Sequence, residues 1–326
     1  MSNIEISVLS AAALLLGACA ALAADAAPVP AARLPVILDT DIGDDIDDTW
    51  ALAMLLRSPE LDLKLVVGDL GKALYRAKLI ARILETAGRT DVAVGLGIGS
   101  RDGDGGQAEW VKGYDLKAYP GKVHDDGVGA IIETIMAAPG PITLIAIGPM
   151  PNLKAALERE PKIATKARFV GMHGSVRKGY GNKAEPEPEY NVKCDVAACR
   201  KVFTAPWEMT ITPLDTCGLV HLRGEKFKAV RDAADPLAAA VIENYRLWAK
   251  KARKEELDGS STLFDTVAVY LAFTDALCRM ETLGIRITDD GRTAIDEAAK
   301  KVRVATEWKD MGAFEDLLVR RLTGKP

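Results

Sequence analysis

VILDTDIGDDIDDTWALAMLL, Val36 to Leu56, decides how the rest of the chain is read. Val36 to Leu38 is a short apolar run behind Pro35, the pattern of a buried strand in a parallel sheet. A loop crowded with Asp39, Asp41, Asp44, Asp45, Asp47 and Asp48 follows. From Thr49 onward, Trp50, Ala51, Ala53, Met54 and Leu55 recur at helical spacing. The carboxylates therefore sit at the carboxyl end of a strand and just ahead of a helix, where open α/β sheets bind ligands.

Six Asp within ten residues repel one another and raise one another's pKa unless something positive joins them. A helix N-terminus offers only about half a unit charge, and capping accounts for one Asp rather than six. A bound hard cation with oxygen ligands, Ca²⁺ or Mg²⁺, is the direct remedy. An EF-hand is excluded by position, because the twelfth residue from Asp39 is Trp50 and not Glu.

The chain has 326 residues, 48% hydrophobic and 27% charged, an ordinary soluble composition. A net charge of −4 without a long basic run speaks against nucleic acid or an anionic membrane as partner. Residues 8–23, VLSAAALLLGACAALA, are too short and Ala-rich for a good membrane span. They end in Ala21-Leu22-Ala23 and a Pro/Ala-rich stretch, so residues 1–23 read as a signal peptide and the protein as periplasmic or secreted. The segment ahead of them, MSNIEIS, lacks the Lys or Arg usual in such a leader. Leu16-Gly17-Ala18-Cys19 also resembles a lipoprotein box, which would anchor the protein to the cell envelope by a lipid on Cys19. The remaining cysteines, Cys194, Cys199, Cys217 and Cys278, match no zinc spacing and read as buried free thiols.

Further along, apolar runs at Leu63–Gly68, Asp91–Val94, Pro141–Ile147, Arg168–Met172, Met209–Leu214 and Lys301–Ala305 read as strands. Helical patterns separate them at Ala73–Ala87, Gly127–Ala138, from Leu153, and at Asp195–Phe203. The chain then reads as mostly helical to Phe273, with a last helix at Ala313–Leu322. This alternation predicts an α/β fold with an open, mostly parallel, doubly wound sheet flanked by helices, in a single domain over residues 34–326. The loop Gly95–Gly106 is long enough to be a binding loop or lid, or a surface excursion. His124, His173 and His221 read as structural or surface residues.

Several strand-end motifs taken together resemble the calcium-dependent nucleoside hydrolases, the inosine–uridine-preferring nucleoside N-ribohydrolase family. The resemblance runs from Pro35 to Leu322. It rests on Asp39-Thr40-Asp41…Asp47-Asp48…Ala51-Leu52, on Ile147-Gly148-Pro149…Asn152, on Glu189-Tyr190-Asn191…Asp195…Ala197-Ala198, and on Asp265 after an aromatic residue.

The resemblance implies Ca²⁺ held by Asp41, Asp48, the Ile147 carbonyl and Asp265, with Asp41 also taking the proton of the attacking water. It implies ribose contacts from Asp47, Asn191 and Glu189, with Asn182 joining them although its spacing to Glu189 is one residue long. Two departures from the family pattern stand out. The Asp pair lies two residues further from Asp41, which leaves Asp45 as an alternative to Asp47. Phe264 replaces the His read as proton donor in the non-specific branch. Phe264 thus suggests stacking on the base, with a purine leaning and Asp69 as an acid near the base, or else simple core packing. The resemblance also suggests a homodimer or homotetramer acting on a small-molecule ribonucleoside.

Physically, cleavage of an N-glycosidic bond builds positive charge on the ribose and negative charge on the base, and an acidic site stabilises the first. A hard cation can hold carboxylates, a diol and a water at once, and lowers the pKa of that water. Two rival readings remain. A Mg²⁺-dependent phosphatase would use Asp39 as nucleophile, though Gly43 stands where such enzymes want Thr or Val. An exported nucleoside- or sugar-binding protein would keep the metal site without turnover.

Overall fold

In the computed structural model, Leu34–Thr40 forms β1 and sends its side chains alternately to two cores. Val36 and Leu38 join one cluster, and Ile37 joins another with Leu65, Val67 and Leu144. A strand buried on both faces needs apolar residues at successive positions, which is what this run supplies. The structure describes residues 1, 32–100 and 103–324. The expected leader, with Cys19, lies outside the described residues apart from Met1. Among those described, no helix is long and apolar enough to cross a membrane.

After β1 come α1 (Asp47–Leu56), β2 (Leu61–Gly68), α2 (Ala73–Thr86), β3 (Ala93–Leu96), β4 (Val123–His124), α3 (Gly127–Ala137) and β5 (Ile142–Ala146). They are followed by α4 (Pro151–Arg159), α5 (Ile163–Lys166), β6 (Ala167–Met172), α6 (Tyr190–Cys194), α7 (Val196–Thr204) and β7 (Met209–Thr212). The carboxyl-terminal part adds α8 (Gly224–Arg231), α9 (Pro236–Trp248), α10 (Thr266–Leu271), β8 (Cys278–Ile287), β9 (Thr293–Ile295), β10 (Lys301–Trp308) and α11 (Met311–Leu322). Arg33–Pro326 forms one compact unit.

The sheet order is β4-β3-β2-β1-β5-β6-β7-β10-β8-β9. Pairing is parallel from β4 through to β10, and antiparallel between β10 and β8 and between β8 and β9. The expected mostly parallel, doubly wound sheet is present. The sequence reading missed β8 and β9. Exposed and half-exposed residues interrupt β8 at Arg279–Thr282, so it shows no continuous apolar run. Its partners across the ladder, not its own pattern, make it a strand.

The order of strands reverses between β1 and β5, because β2 lies on one side of β1 and β5 on the other. Connections leave the two strands in opposite directions and open a crevice at their carboxyl ends. Helix α1 enters that crevice with Asp47 and Asp48 in its first turn, where the helix dipole favours negative charge. Asp47 to Leu55 are all buried, since α1 is covered by its neighbours on every side. Trp50 anchors it, stacking on Phe227 with ring centroids 6.5 Å apart and meeting the Tyr245 ring at 6.0 Å.

Candidate active site

The crevice holds a cavity of about 350 Å³, within the range of small-molecule sites. Its floor is acidic: Asp41, Asp47, Asp48 and Asp265 line it together with Glu189 and Asn191. Asp47, Asp48 and Asp265 each offer a carboxylate oxygen within 4.8 Å of the others, and all three are buried. Asp265 reaches them because it precedes the first turn of α10. Of the alternatives Asp45 and Asp47, both line the cavity, and Asp47 is the buried one. Asp45 is exposed at the rim, where its carboxylate accepts the Ile46 N–H at 2.7 Å.

Burial pushes the carboxyls of Asp47, Asp48 and Asp265 well above the ordinary range, and their mutual repulsion adds to it. Asp41 is raised to about 6 by burial, with the Arg76 guanidinium pulling the other way. Thr40 donates its hydroxyl to Asp48 and so fixes one oxygen of that carboxylate. The Ile147 carbonyl lines the same floor and accepts the Asn191 amide at 3.0 Å. A second lone pair on that oxygen stays available. Among the described residues, no Lys or Arg lines the cavity, and Arg76 lies behind it. Buried carboxylates converging on one point, more numerous than the one cation behind them, fit a hard divalent cation with oxygen ligands.

Glu189 sits at the amino end of α6, where its oxygens accept backbone N–H groups from Gly174 at 2.9 Å, Asn191 at 2.7 Å and Val192 at 3.3 Å. Burial raises it to about 7 despite these donors. The remaining wall is aromatic: Tyr180, Tyr190, Trp248 and Phe264, with Met172. Phe264 meets Tyr180 edge-on at 6.1 Å, and Tyr180 accepts the Tyr190 N–H at 2.8 Å through its hydroxyl oxygen. Trp248 closes α9 and donates its indole N–H to the Asp44 carbonyl at 3.1 Å. Phe264 is a wall residue as well as a packing one.

Two expected site residues are not brought to the cavity. Asn182 is exposed, and Tyr180 holds the wall position in that segment. A short helical turn at Tyr180–Asn182 with Gly181 in the left-handed region rotates Asn182 outward. Asp69 is fully buried at the end of β2, beneath the floor. It accepts the Met150 N–H at 3.0 Å, and a Cβ on Gly148 would lie 2.6 Å from it. Asp69 Oδ1 and Asp39 Oδ2 are both buried without a hydrogen-bond partner, and Asp39 raises the Asp69 carboxyl further after burial itself. This placement supports a packing role. Asp69→Asn is expected to keep kcat within about threefold, where loss of a general acid costs about 10²–10⁴. Steady-state kinetics on the purified variant check it.

Asp39 also lies beneath the floor, with Asn152 donating to it at 2.7 Å. The phosphatase reading therefore loses its nucleophile, which would have to reach the substrate. His173 is fully buried between Phe169 and Phe203, bonded to the Gly148 carbonyl at 3.0 Å and lowered to about 4 by burial. Its expected structural role agrees with these contacts. Cys199, Cys217 and Cys278 are buried free thiols as expected, but Cys194 is exposed, because it ends the short α6 at the surface. The described residues of the loop after β3 do not line the cavity. Gln107 at its end is buried against the Asp loop and accepts the Thr49 hydroxyl at 2.8 Å, so this part of the loop braces the site from behind.

Five described contributors escaped the sequence reading: the walls Met172, Tyr180, Tyr190 and Trp248, and Arg76. Arg76 is 1% exposed and donates to the carbonyls of Asp41, Ile42 and Leu70 and to the Asp44 carboxylate. Its one visible signal was an Arg among the apolar positions of α2.

Residues 36–316 match the family described as inosine-uridine preferring nucleoside hydrolase. The chain belongs to this family. It is 27% identical to a probable uridine nucleosidase 2 of Arabidopsis thaliana over 298 residues, 85% of this chain and 90% of the relative. It is 35% identical over 193 residues to the non-specific ribonucleoside hydrolase RihC of Klebsiella pneumoniae, 56% of this chain and 62% of that protein. Its fold is that of a purine-preferring ribonucleoside hydrolase from Gardnerella vaginalis, with a TM-score of 0.72 at 24% identity over 89% of this chain and 98% of that one. The family resemblance read from the strand-end motifs is thus borne out, and with it an enzyme that hydrolyses ribonucleosides.

Proposed function

We propose that this nucleoside hydrolase works with Ca²⁺ held by Asp41, Asp48, Asp265 and the Ile147 carbonyl. The observation that carries the reading is the convergence of the buried Asp47, Asp48 and Asp265 carboxylates, with Asp41 on the same cavity floor and no basic side chain among the described lining residues. Asp and carbonyl oxygens suit a hard ion that takes six to eight ligands. When bound, the ion supplies a water of lowered pKa and a hold on the ribose diol.

Asp41, on the cavity floor beside the other carboxylates, would take the proton from that water. Asp47, Asn191 and Glu189 fix the ribose hydroxyls, so positioning supplies part of the rate. Negative charge around the sugar favours the oxocarbenium-like transition state over the neutral ground state. The departing base lies against Phe264, Tyr180, Tyr190 and Trp248, which exclude water and stack on its flat face. No His is among the described residues that line the cavity, so base departure relies on stacking and favours purines, whose larger rings gain most from it.

The test is a panel of purine and pyrimidine ribonucleosides assayed for reducing sugar with and without a calcium chelator. Release of ribose that the chelator abolishes and Ca²⁺ restores supports the reading. Nucleoside binding without release, or turnover indifferent to the chelator, overturns it. Phe264→Ala is expected to lower kcat/KM for inosine about tenfold or more, from the about 1–3 kcal/mol that a base–aromatic stack contributes, with a smaller loss for uridine. Equal losses on both would assign Phe264 to packing. Export belongs to the same proposal, and fractionation of expressing cells into periplasm and cytoplasm tests it.

A further inference from the structure

We infer that Arg76 is the positioning residue of the cation site. It acts from behind the cavity by holding the backbone of the Asp loop in its ligand-presenting shape before any ion arrives. This rests on the cation reading above. Arg76 lies on α2 and does not line the cavity. Its guanidinium is a rigid fork of five donors. Nε donates to the Leu70 carbonyl at 2.8 Å, Nη1 to the carbonyls of Ile42 at 2.6 Å and of Asp41, and Nη2 to the Asp44 carboxylate at 2.8 Å. One side chain therefore ties the loop leaving β1 to the loop leaving β2.

The second loop is shaped to receive it. Leu70 and Gly71 both adopt left-handed backbone, with φ of 51° and 58°. Left-handed backbone is rare for a leucine and is held only where its surroundings impose it. It turns the Leu70 carbonyl toward Nε, while Gly71 leaves room for the fork: a Cβ there would lie 2.6 Å from Nη2 and 3.0 Å from Nε. The fork also brings a buried positive charge behind Asp41, Asp48 and Asp69, which offsets part of the rise that burial imposes on all three. A loop held this way needs no ordering when the ion binds, and preorganised ligands bind more tightly. Lysine carries the charge but not the planar fork, so Arg76→Lys separates geometry from electrostatics.

The experiment compares wild type, Arg76→Lys and Gly71→Ala. Gly71→Ala displaces the guanidinium without altering it. Calcium affinity is measured by calorimetry, and amide hydrogen exchange over residues 41–44 is measured in metal-free protein. Both variants are expected to raise the calcium Kd about 10- to 100-fold, as loss of residues that orient ligands does. Both should speed exchange in the metal-free loop, and kcat should return to near wild type at saturating calcium. Wild-type affinity and exchange in Gly71→Ala overturn the inference, even where Arg76→Lys fails to fold. A kcat that stays low at saturating calcium overturns it too, since Arg76 would then act beyond ion binding. Should wild type bind no calcium, the cation reading fails on its own, and the exchange measurement still decides whether Arg76 holds the loop.

Discussion

Replacing Asp41 by Asn is expected to lower kcat for nucleoside hydrolysis by about 10²–10⁴, the usual weight of a positioned general base. The change keeps shape and removes both the proton acceptor and one negative charge. Asp41 is 6% exposed and lines the cavity floor beside the carboxylates of Asp47, Asp48 and Asp265. Its backbone is fixed from behind by Arg76, so the side-chain exchange should leave the loop in place. Steady-state kinetics with inosine and uridine at saturating calcium give the answer, with a thermal melt to show that the variant folds. A wild-type kcat would transfer the base role to another residue. The matching change at Asp265 should act differently: Asp265→Ala is expected to raise the calcium requirement first.

Removing the cation is expected to abolish turnover and to invert the usual dependence of stability on pH. In the metal-free protein, burial raises Asp39 and Glu189 to about 7 and Asp41 to about 6, with Asp47, Asp48 and Asp265 also raised. A carboxyl whose folded pKa exceeds its unfolded value binds its proton more tightly when folded. Its contribution is fully present below the unfolded pKa, near 4, and is lost as pH rises through 6 to 7. The melting temperature in chelator should therefore fall between pH 5 and 8. A bound cation favours the ionised carboxylates and reverses the sign. Calcium at about 100 times its Kd at pH 7 should add about 2.7 kcal/mol there, or about 4 °C, and the same calcium concentration should add more at pH 8 than at pH 5. Melting curves at pH 5, 6, 7 and 8, with chelator and with calcium, check it. A calcium increment that does not grow with pH would place the ion away from these carboxylates.

Much of this was legible from residues 36–56 alone. A run of apolar residues between Pro35 and Asp39 can only be buried on both faces, and the Asp-rich loop before an apolar helix places charge at a strand's carboxyl end. These are local consequences of residue type and order, so the sequence by itself determined the parallel α/β core and the acidic cluster at its strand ends. β8 and β9 were illegible because their stability comes from pairing beside β10 and not from their own pattern.

Tertiary structure alone decided which carboxylates meet. Asp39 and Asp41 stand two residues apart, yet one lies beneath the floor against Asn152 and the other lines the cavity. Asp69, expected as an acid near the base, is sealed under Gly148, while Asp265 arrives from a distant helix. Trp248 and Arg76 belong to the site only because α9 and α2 pack against the Asp loop. Composition tells how much charge must be buried. Which charges share one point of space is fixed by long-range packing, because distance in a folded chain is set by the cores that helices and strands bury, and not by their order.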